Sequence, residues 1–216
     1  MGQVGLVGKM KIVRKPGFVV LAVALVASAC NPKPPDQRDY VTRLTAARAD
    51  KDADFLKLSG YPVPDNRKAE LLPLAYYSID PSYNVPAVLK PSKDTGVLYI
   101  PTSSGQPRAE KRAGTLEFTM QGQAMKLTAF VEAEVHNLDR LFVPFSDATS
   151  GTETYGGGRY LDLDRTPTGF YELDFNRAYH PYCVYNPATE CPYPPPENRL
   201  PIPIRAGERL KEKGKS

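Results

Sequence analysis

At 216 residues, 41% of them hydrophobic and 10% aromatic, the chain is long enough for one domain with a real core and short for several. The 22 prolines and 16 glycines, with no Trp, exclude a long-helix bundle and favour short elements joined by turns. The formal net charge is +4, but four of the 28 Lys and Arg lie in the first 29 residues. The remaining 24 face 24 Asp and Glu, a balance that points away from nucleic acid as a partner.

Residues 1–29 read as an export signal. Lys9, Lys11, Arg14 and Lys15 form a basic start, and Phe18 to Ala29 is an uncharged apolar run too short to cross a bilayer as a mature helix. The run ends in Ala27-Ser28-Ala29 immediately before Cys30, an arrangement that resembles the bacterial lipobox, although Ala27 stands where that pattern usually has Leu. The expectation is a protein acylated at Cys30 and held to the membrane of the bacterial cell envelope. The alternative is an ordinary cleaved signal that leaves a free cysteine. Positions 30–37, Pro-rich and polar, read as a tether.

From Arg38 to about Lys57 the chain has no Gly or Pro and carries a partial apolar stripe of Tyr40, Val41, Leu44, Ala47, Phe55 and Leu56. This predicts one amphipathic helix with its Arg, Lys and Asp run on a solvated face. Short strand-like runs follow. Leu71 to Ile79 is apolar and aromatic. Val85 to Lys90 and Gly96 to Pro101 flank a turn, and Thr115 to Met120 alternates as a half-buried strand does. Gln121-Gly122-Gln123 turns into Met125 to Val131. Leu141 to Phe145, Arg159 to Leu163 and Gly169 to Phe175 complete the set. The predicted fold is mainly β, an antiparallel barrel or sandwich of about seven to nine short strands. The domain spans 38–208, and a basic tail from 209 to 216 lacks an apolar anchor.

Tyr179 to Pro203 holds eight prolines and four tyrosines, too many prolines for a central strand, and must wrap the sheet. Within it Cys183 and Cys191 are spaced as an exported pair that closes a small disulfide loop. The rival, a metal site shared with His180, lacks a fourth ligand at a standard spacing, so neither metal nor cofactor is expected.

The runs LFVPFSDATSGTETYGGGRYLDLD and LDFNRAYHPYCVYNPATECPYPPPENRLPIPIRAGE closely resemble the prokaryotic family DUF1684, a domain of unknown function. Tyr76-Tyr77, Asp80 and the Tyr83-Asn84-Val85-Pro86-Ala87 segment resemble the middle region of that family, and the basic helix with Lys51-Asp52 and Phe55 its start. Many members carry a longer N-terminal half where this chain has only about Gly60 to Leu74, so it resembles a short member. The resemblance implies a mostly β fold and assigns no activity.

Four constellations are candidates for chemistry. Asp147, Thr149, Glu153, Tyr155 and Arg159 sit on a Gly-rich loop between two strands, where ligands are commonly bound, and Gly156 to Gly158 permit close approach. The structural alternative has Asp147 and Ser150 making local turns and Glu153 pairing with Arg159. Asp174 and Asn176 follow; an Asp beside Glu153 would make a carboxylate pair or an oxygen-rich cation site, and an ion pair with Arg159 is the plainer outcome. His180 has no Gly-x-Ser-x-Gly nucleophile to serve. Last, Tyr155, Tyr160, Tyr171, Tyr179, Tyr182 and Tyr185 offer contact area for sugars or small organic ligands, or fill the rim of the core. The leading expectation is a pocket of Asp147, Thr149, Glu153, Tyr155, Arg159, Asp174 and Asn176 that binds a small molecule or an envelope protein. An envelope hydrolase using the same carboxylates and a structural module without activity are the alternatives.

Overall fold

The computed structural model describes residues 39–94, 96–134, 137–168 and 170–212. The expected export signal and tether, Cys30 and the last residues of the tail lie outside the described residues. The predicted helix is present as α1, Tyr40–Lys57, capped by Asp39, whose carboxylate accepts from Thr42 N at 3.0 Å. Its apolar stripe is thin, with only Leu44 and Phe55 buried. Polar side chains do much of the docking, contrary to the solvated face expected of them. Tyr40 donates to Asp174 at 2.8 Å, Arg48 donates to the Tyr77 and Asn176 carbonyls, and Asp52 accepts from Leu74 N at 2.9 Å. The Arg48 guanidinium also lies 4.4 Å from the centre of the Tyr76 ring.

Seven antiparallel strands follow among the described residues: β1 Asn84–Pro91, β2 Val97–Ile100, β3 Arg108–Met120, β4 Gln123–Glu132, β5 Arg140–Phe145, β6 Arg159–Asp164 and β7 Tyr171–Asp174. Their order is β6-β5-β4-β3-β1-β7, with β2 on β3, and the Arg165–Tyr171 bridge brings β6 back towards β7. The result is a nearly closed barrel-like sheet, which decides between the predicted barrel and sandwich. Gln121 and Gly122 turn β3 into β4 with φ of 51° and 74°, the signature of a two-residue type I′ hairpin.

Two departures from expectation have local causes. Leu71–Ile79 forms no strand. A short helix α2, Lys68–Leu71, leads into Pro73, and Tyr77 and Ala75 hydrogen-bond instead with Gly207 and Arg209 near the C-terminus. β3 starts seven residues before the alternating run, through the charged segment RAEKRAG, because a bulge between Arg112 and Gly114 shifts the register. Gly114 is required there, since a Cβ would lie 2.9 Å from both Lys90 C and Pro91 Cα of β1.

The barrel interior is filled by alternate residues such as Leu116, Phe118, Leu127, Ala129, Leu141, Val143, Phe145, Leu161, Leu163, Leu173 and Phe175. Leu200, Ile204 and Ala206 join that core from the C-terminal segment. Phe55, Val63, Leu72 and Tyr185 form a smaller cluster under α1. The other residues of β5 and β6 (Phe142, Tyr160 and Asp162) face outward. Cross-strand pairing carries that outer face to Phe130 on β4 and Arg112 on β3, and hence to Arg108 and Glu110. The Pro/Tyr-rich wrap runs over this face, bridging Tyr160 to Tyr179 and Ser146 to Arg199.

Among the described residues β4 and β5 pair only at Phe130–Phe142, and the wrap repairs the gap. The Asn198 side chain accepts from Thr128 N at 2.7 Å and donates to the Thr128 and Pro144 carbonyls at 2.8 and 2.7 Å. One buried amide thus stands in for a missing stretch of ladder.

Candidate functional site

The loop residues singled out in the sequence separate into three places. Arg159 points into the end of the barrel, where it pairs with Asp147 at 2.9 Å with neither side chain exposed. It donates further to the carbonyls of Ile204 at 2.6 Å, Ala206, and Glu208 at 3.0 Å. Asp147 also accepts from Thr149 N at 2.7 Å and Ile204 N at 3.2 Å, while the Thr149 and Thr154 hydroxyls meet at 2.9 Å. This group ties the C-terminal segment into the barrel mouth. Glu153 faces outward to Arg205, accepting from its Nε and Nη2, and takes the Tyr77 hydroxyl at 3.0 Å. The Arg205 guanidinium holds the Glu153 carboxyl below its usual range.

Asp174 and Asn176 lie apart from both. Asp174 caps a 3₁₀ turn by accepting from Asn176 N at 3.0 Å, and Asn176 brackets Asp80 through its backbone N–H and carbonyl. The carboxylate pair of Asp174 with Glu153 is not assembled; Arg177 is the charged partner of Asp174. Among the described residues no group of three or more His, Cys, Asp and Glu side chains is arranged to hold a metal. Gly158, at φ +87°, leaves room for the chain itself: a Cβ would sit 2.5 Å from both Phe145 O and Pro194 Cγ.

A solvent-reachable cleft of about 720 Å³ opens elsewhere, between the outer face of β3–β6, α1 and the wrap. Its walls carry Phe142, Tyr160, Tyr179, Tyr182 and Tyr61, with Lys51, Arg108 and Arg140 among them. Glu132, Asp162 and Glu190 supply the same number of acidic groups. Three of the six tyrosines named from the sequence, Tyr160, Tyr179 and Tyr182, therefore meet here, while Tyr171 and Tyr185 are buried in the two cores. None of the loop residues from Asp147 to Arg159 lines the cleft.

The cleft side chains are held in place by one another. Asp162 accepts from Tyr179 at 3.0 Å and from Arg140 at 3.2 Å. Tyr160 donates to Pro192 O at 2.5 Å, edge-on to Phe142 and Tyr179. The Lys51 ammonium lies 5.3 Å and 5.1 Å from the ring centres of Phe55 and Tyr179, and Arg108 lies 5.7 Å from that of Phe142. The outward register of Phe142, Tyr160 and Asp162 was available from alternation with Leu141, Leu161 and Leu163. The contribution of Lys51 was not, because its partner Glu208 is 157 positions away.

Glu208 anchors the floor behind the cleft. It is fully buried, takes Lys51 at 2.5 Å and Tyr185 at 2.5 Å, and accepts from His180 N at 2.8 Å. Burial pushes its carboxyl up, but the Lys51 ammonium and its other partners outweigh that and leave it below the usual range. His180 is packed, with Nε2 accepting from Tyr155 N at 3.3 Å, and burial pulls its imidazole down to about 4. That keeps it neutral near pH 7, and its place is structural.

Cys191 lines the cleft and Cys183 lies next to it, both as free thiols, with Cys183 N donating to Cys191 Sγ at 3.1 Å. The neighbouring Cys191 side chain, with help from Tyr155, draws the Cys183 thiol down to about 7.

No curated protein matches the sequence. Among solved structures, the solution NMR structure of an uncharacterised protein of Haloarcula marismortui is similar at 35% identity and a TM-score of 0.62. The match covers 78% of this chain and 93% of that one. A family model described as a protein of unknown function, DUF1684, matches residues 70–209, which takes in every strand, the cleft walls they carry and the wrap. The chain is therefore a member of the DUF1684 family, whose model spans the barrel and its C-terminal wrap.

Proposed function

We propose that this protein is a lipid-anchored envelope module that binds a small ligand in the cleft between β3–β6, α1 and the wrap. The observation that carries the reading is the cleft itself. Its volume of about 720 Å³ is of the size that holds small ligands, and its aromatic surface and fixed polar groups have the mixed character of such sites. The anchor rests on the sequence: a basic start, an apolar run and small residues before Cys30. The loop residues Asp147, Thr149 and Arg159 serve the scaffold in this reading, because the Asp147 carboxylate and the terminal nitrogens of Arg159 are engaged with one another and with the C-terminal segment, out of reach of the cleft. A hydrolase built on Glu153 and Asp174 draws no support, since each carboxylate holds separate partners.

Two experiments test the reading. A palmitate analogue should label wild-type protein in its native cells and fail on Cys30→Ser; equal labelling of both refutes the anchor. Native mass spectrometry of protein extracted in mild detergent should show a co-purifying small molecule that is lost from Tyr61→Ala and Arg140→Gln. A bound mass that both cleft variants retain refutes the cleft as the site.

A further inference from the structure

The same cleft has a charge pattern that narrows what it can hold, and the inference rests on the reading that it is the binding site. Each cation in its wall is already matched. Lys51 is held by the buried Glu208 at 2.5 Å, Arg140 by Asp162 at 3.2 Å, and Arg108 by Glu110 at 2.8 Å with Glu132 beyond it at 3.4 Å. With three basic and three acidic side chains lining it, and the ionised Glu208 behind, the cleft offers no positive field to concentrate an anion.

A cationic ligand would share the cleft with Lys51, Arg108 and Arg140, and only part of the aromatic surface is open to it. Quaternary ammonium groups are recognised on open aromatic faces. Here the protein's own cations lie against two of them, Lys51 against Tyr179 and Arg108 against Phe142. The open aromatic wall is elsewhere, where Tyr61 and Tyr182 stand edge to face at 5.5 Å with an interplanar angle of 86°. Tyr61 is 53% exposed there. On the strand side stand the exposed Arg140 and Asp162, tied together with the Tyr179 hydroxyl into a row of donors and acceptors.

We propose that the ligand is a neutral pyranose sugar, free or as one unit of an envelope glycan. A pyranose has an apolar face of C–H groups that suits the Tyr61–Tyr182 wall, since aromatic faces are negative and C–H edges slightly positive. Its vicinal hydroxyls each donate and accept, and the Arg140–Asp162–Tyr179 row presents both functions in fixed positions. A matched set of charges supplies those hydrogen bonds without a net field, which an uncharged ligand does not need.

The test uses the full chain in detergent, titrated by NMR with neutral mono- and oligosaccharides, with inorganic phosphate and benzoate as anions and choline as a cation. Neutral sugars should shift the signals of Tyr61, Tyr182 and Asp162, with affinity unchanged between low and high salt. Tyr61→Ala and Arg140→Gln, both at exposed side chains, should each weaken binding by roughly tenfold or more while the melting temperature holds. Oligosaccharides that bind more tightly than their monomers identify the glycan as the source, and equal affinities identify the free sugar. Phosphate, benzoate or choline shifting the cleft signals while sugars do not overturns the sugar assignment and leaves the cleft standing as a site. A sugar that shifts only signals outside the cleft overturns both.

Discussion

The Arg159 guanidinium donates to Asp147 at 2.9 Å inside the barrel end, with no solvent at either side chain. Three carbonyls of the C-terminal segment take further N–H groups of its two terminal nitrogens, so the pair is one knot between β6, the loop after β5 and residues 204–208. Removing one partner leaves the other charge buried and unmatched. Asp147→Ala is expected to lower stability by about 3–5 kcal/mol. Glu153→Gln, on an exposed pair with Arg205, should cost about 1 kcal/mol or less. Chemical denaturation of the two variants checks the contrast; equal effects would mean that the buried knot carries no special weight.

Asn198 offers a second handle on the same architecture. Its amide makes all three of its hydrogen bonds to the backbones of β4 and β5 where those strands have parted. Asn198→Ala strands buried N–H and C=O groups and is expected to destabilise by about 2–4 kcal/mol. Amide hydrogen exchange should quicken at Thr128 before it does so in the β3–β4 hairpin. Uniform exchange across the sheet would argue that the amide is dispensable.

Acid should unfold the domain through the network behind the cleft. The buried His180 is lowered to about 4 from 6.5, so the unfolded chain takes up a proton that the folded one refuses. Its contribution is therefore complete above about pH 6.5 and lost as pH falls towards 4, a change on the order of 3 kcal/mol. Glu208, also lowered, adds a loss in the same direction at lower pH. In His180→Gln the slope of stability against pH between 4 and 6.5 should flatten. An unchanged slope would place the acid sensitivity elsewhere.

Glu110 works in the opposite direction. It is fully buried, and neither carboxylate oxygen makes a hydrogen bond, because Arg108 Nε, 2.8 Å away, is close without being aligned for one. Burial raises its carboxyl to about 7 against the opposing pull of Arg108. Stability from this group is present below about pH 4.5 and declines as pH rises through 7. Glu110→Gln should accordingly stabilise at pH 8, by about 1–2 kcal/mol, and change little at pH 4. Thermal melts at both values test this, and a variant that loses stability at pH 8 would show that the attraction of Arg108 outweighs the cost of burying the carboxylate.

The cysteine pair yields the last prediction. Cys183 and Cys191 are adjacent as thiols, and in an exported protein they should be found bonded. Closing so short a loop is expected to add about 2–3 kcal/mol, lost on reduction. Non-reducing mass spectrometry of protein isolated from cells decides it, two free thiols being the adverse result.

Strand positions were largely legible in the sequence because period-2 alternation in runs such as LEFTM and RYLDLD follows directly from the pleat. The helix, the hairpin at Gln121-Gly122 and the irregular wrap were legible for equally local reasons: no Gly or Pro, a φ > 0 turn, and too many prolines to pair. The family resemblance was carried by contiguous runs. What alternation cannot register is a bulge, so β3 reads seven residues short, and an apolar run such as Leu71–Ile79 looks like a strand until Pro73 and the C-terminal segment claim it.

The place of a pocket was not legible, for a reason that Asp147, Arg159 and Lys51 illustrate. Polar residues gathered on a Gly-rich loop look the same in sequence whether they face solvent or each other. The difference is made by residues 204–208, whose carbonyls arrive from 45 or more positions away and bury the loop. Lys51, an ordinary basic residue on its helix, becomes a cleft residue only because Glu208 folds in beneath it. Helix and strands follow from neighbours along the chain, so the amino-acid order was enough to place them. Which charges are consumed in the scaffold and which face the cleft depends on partners far apart in sequence, and that division emerges only once the chain has folded.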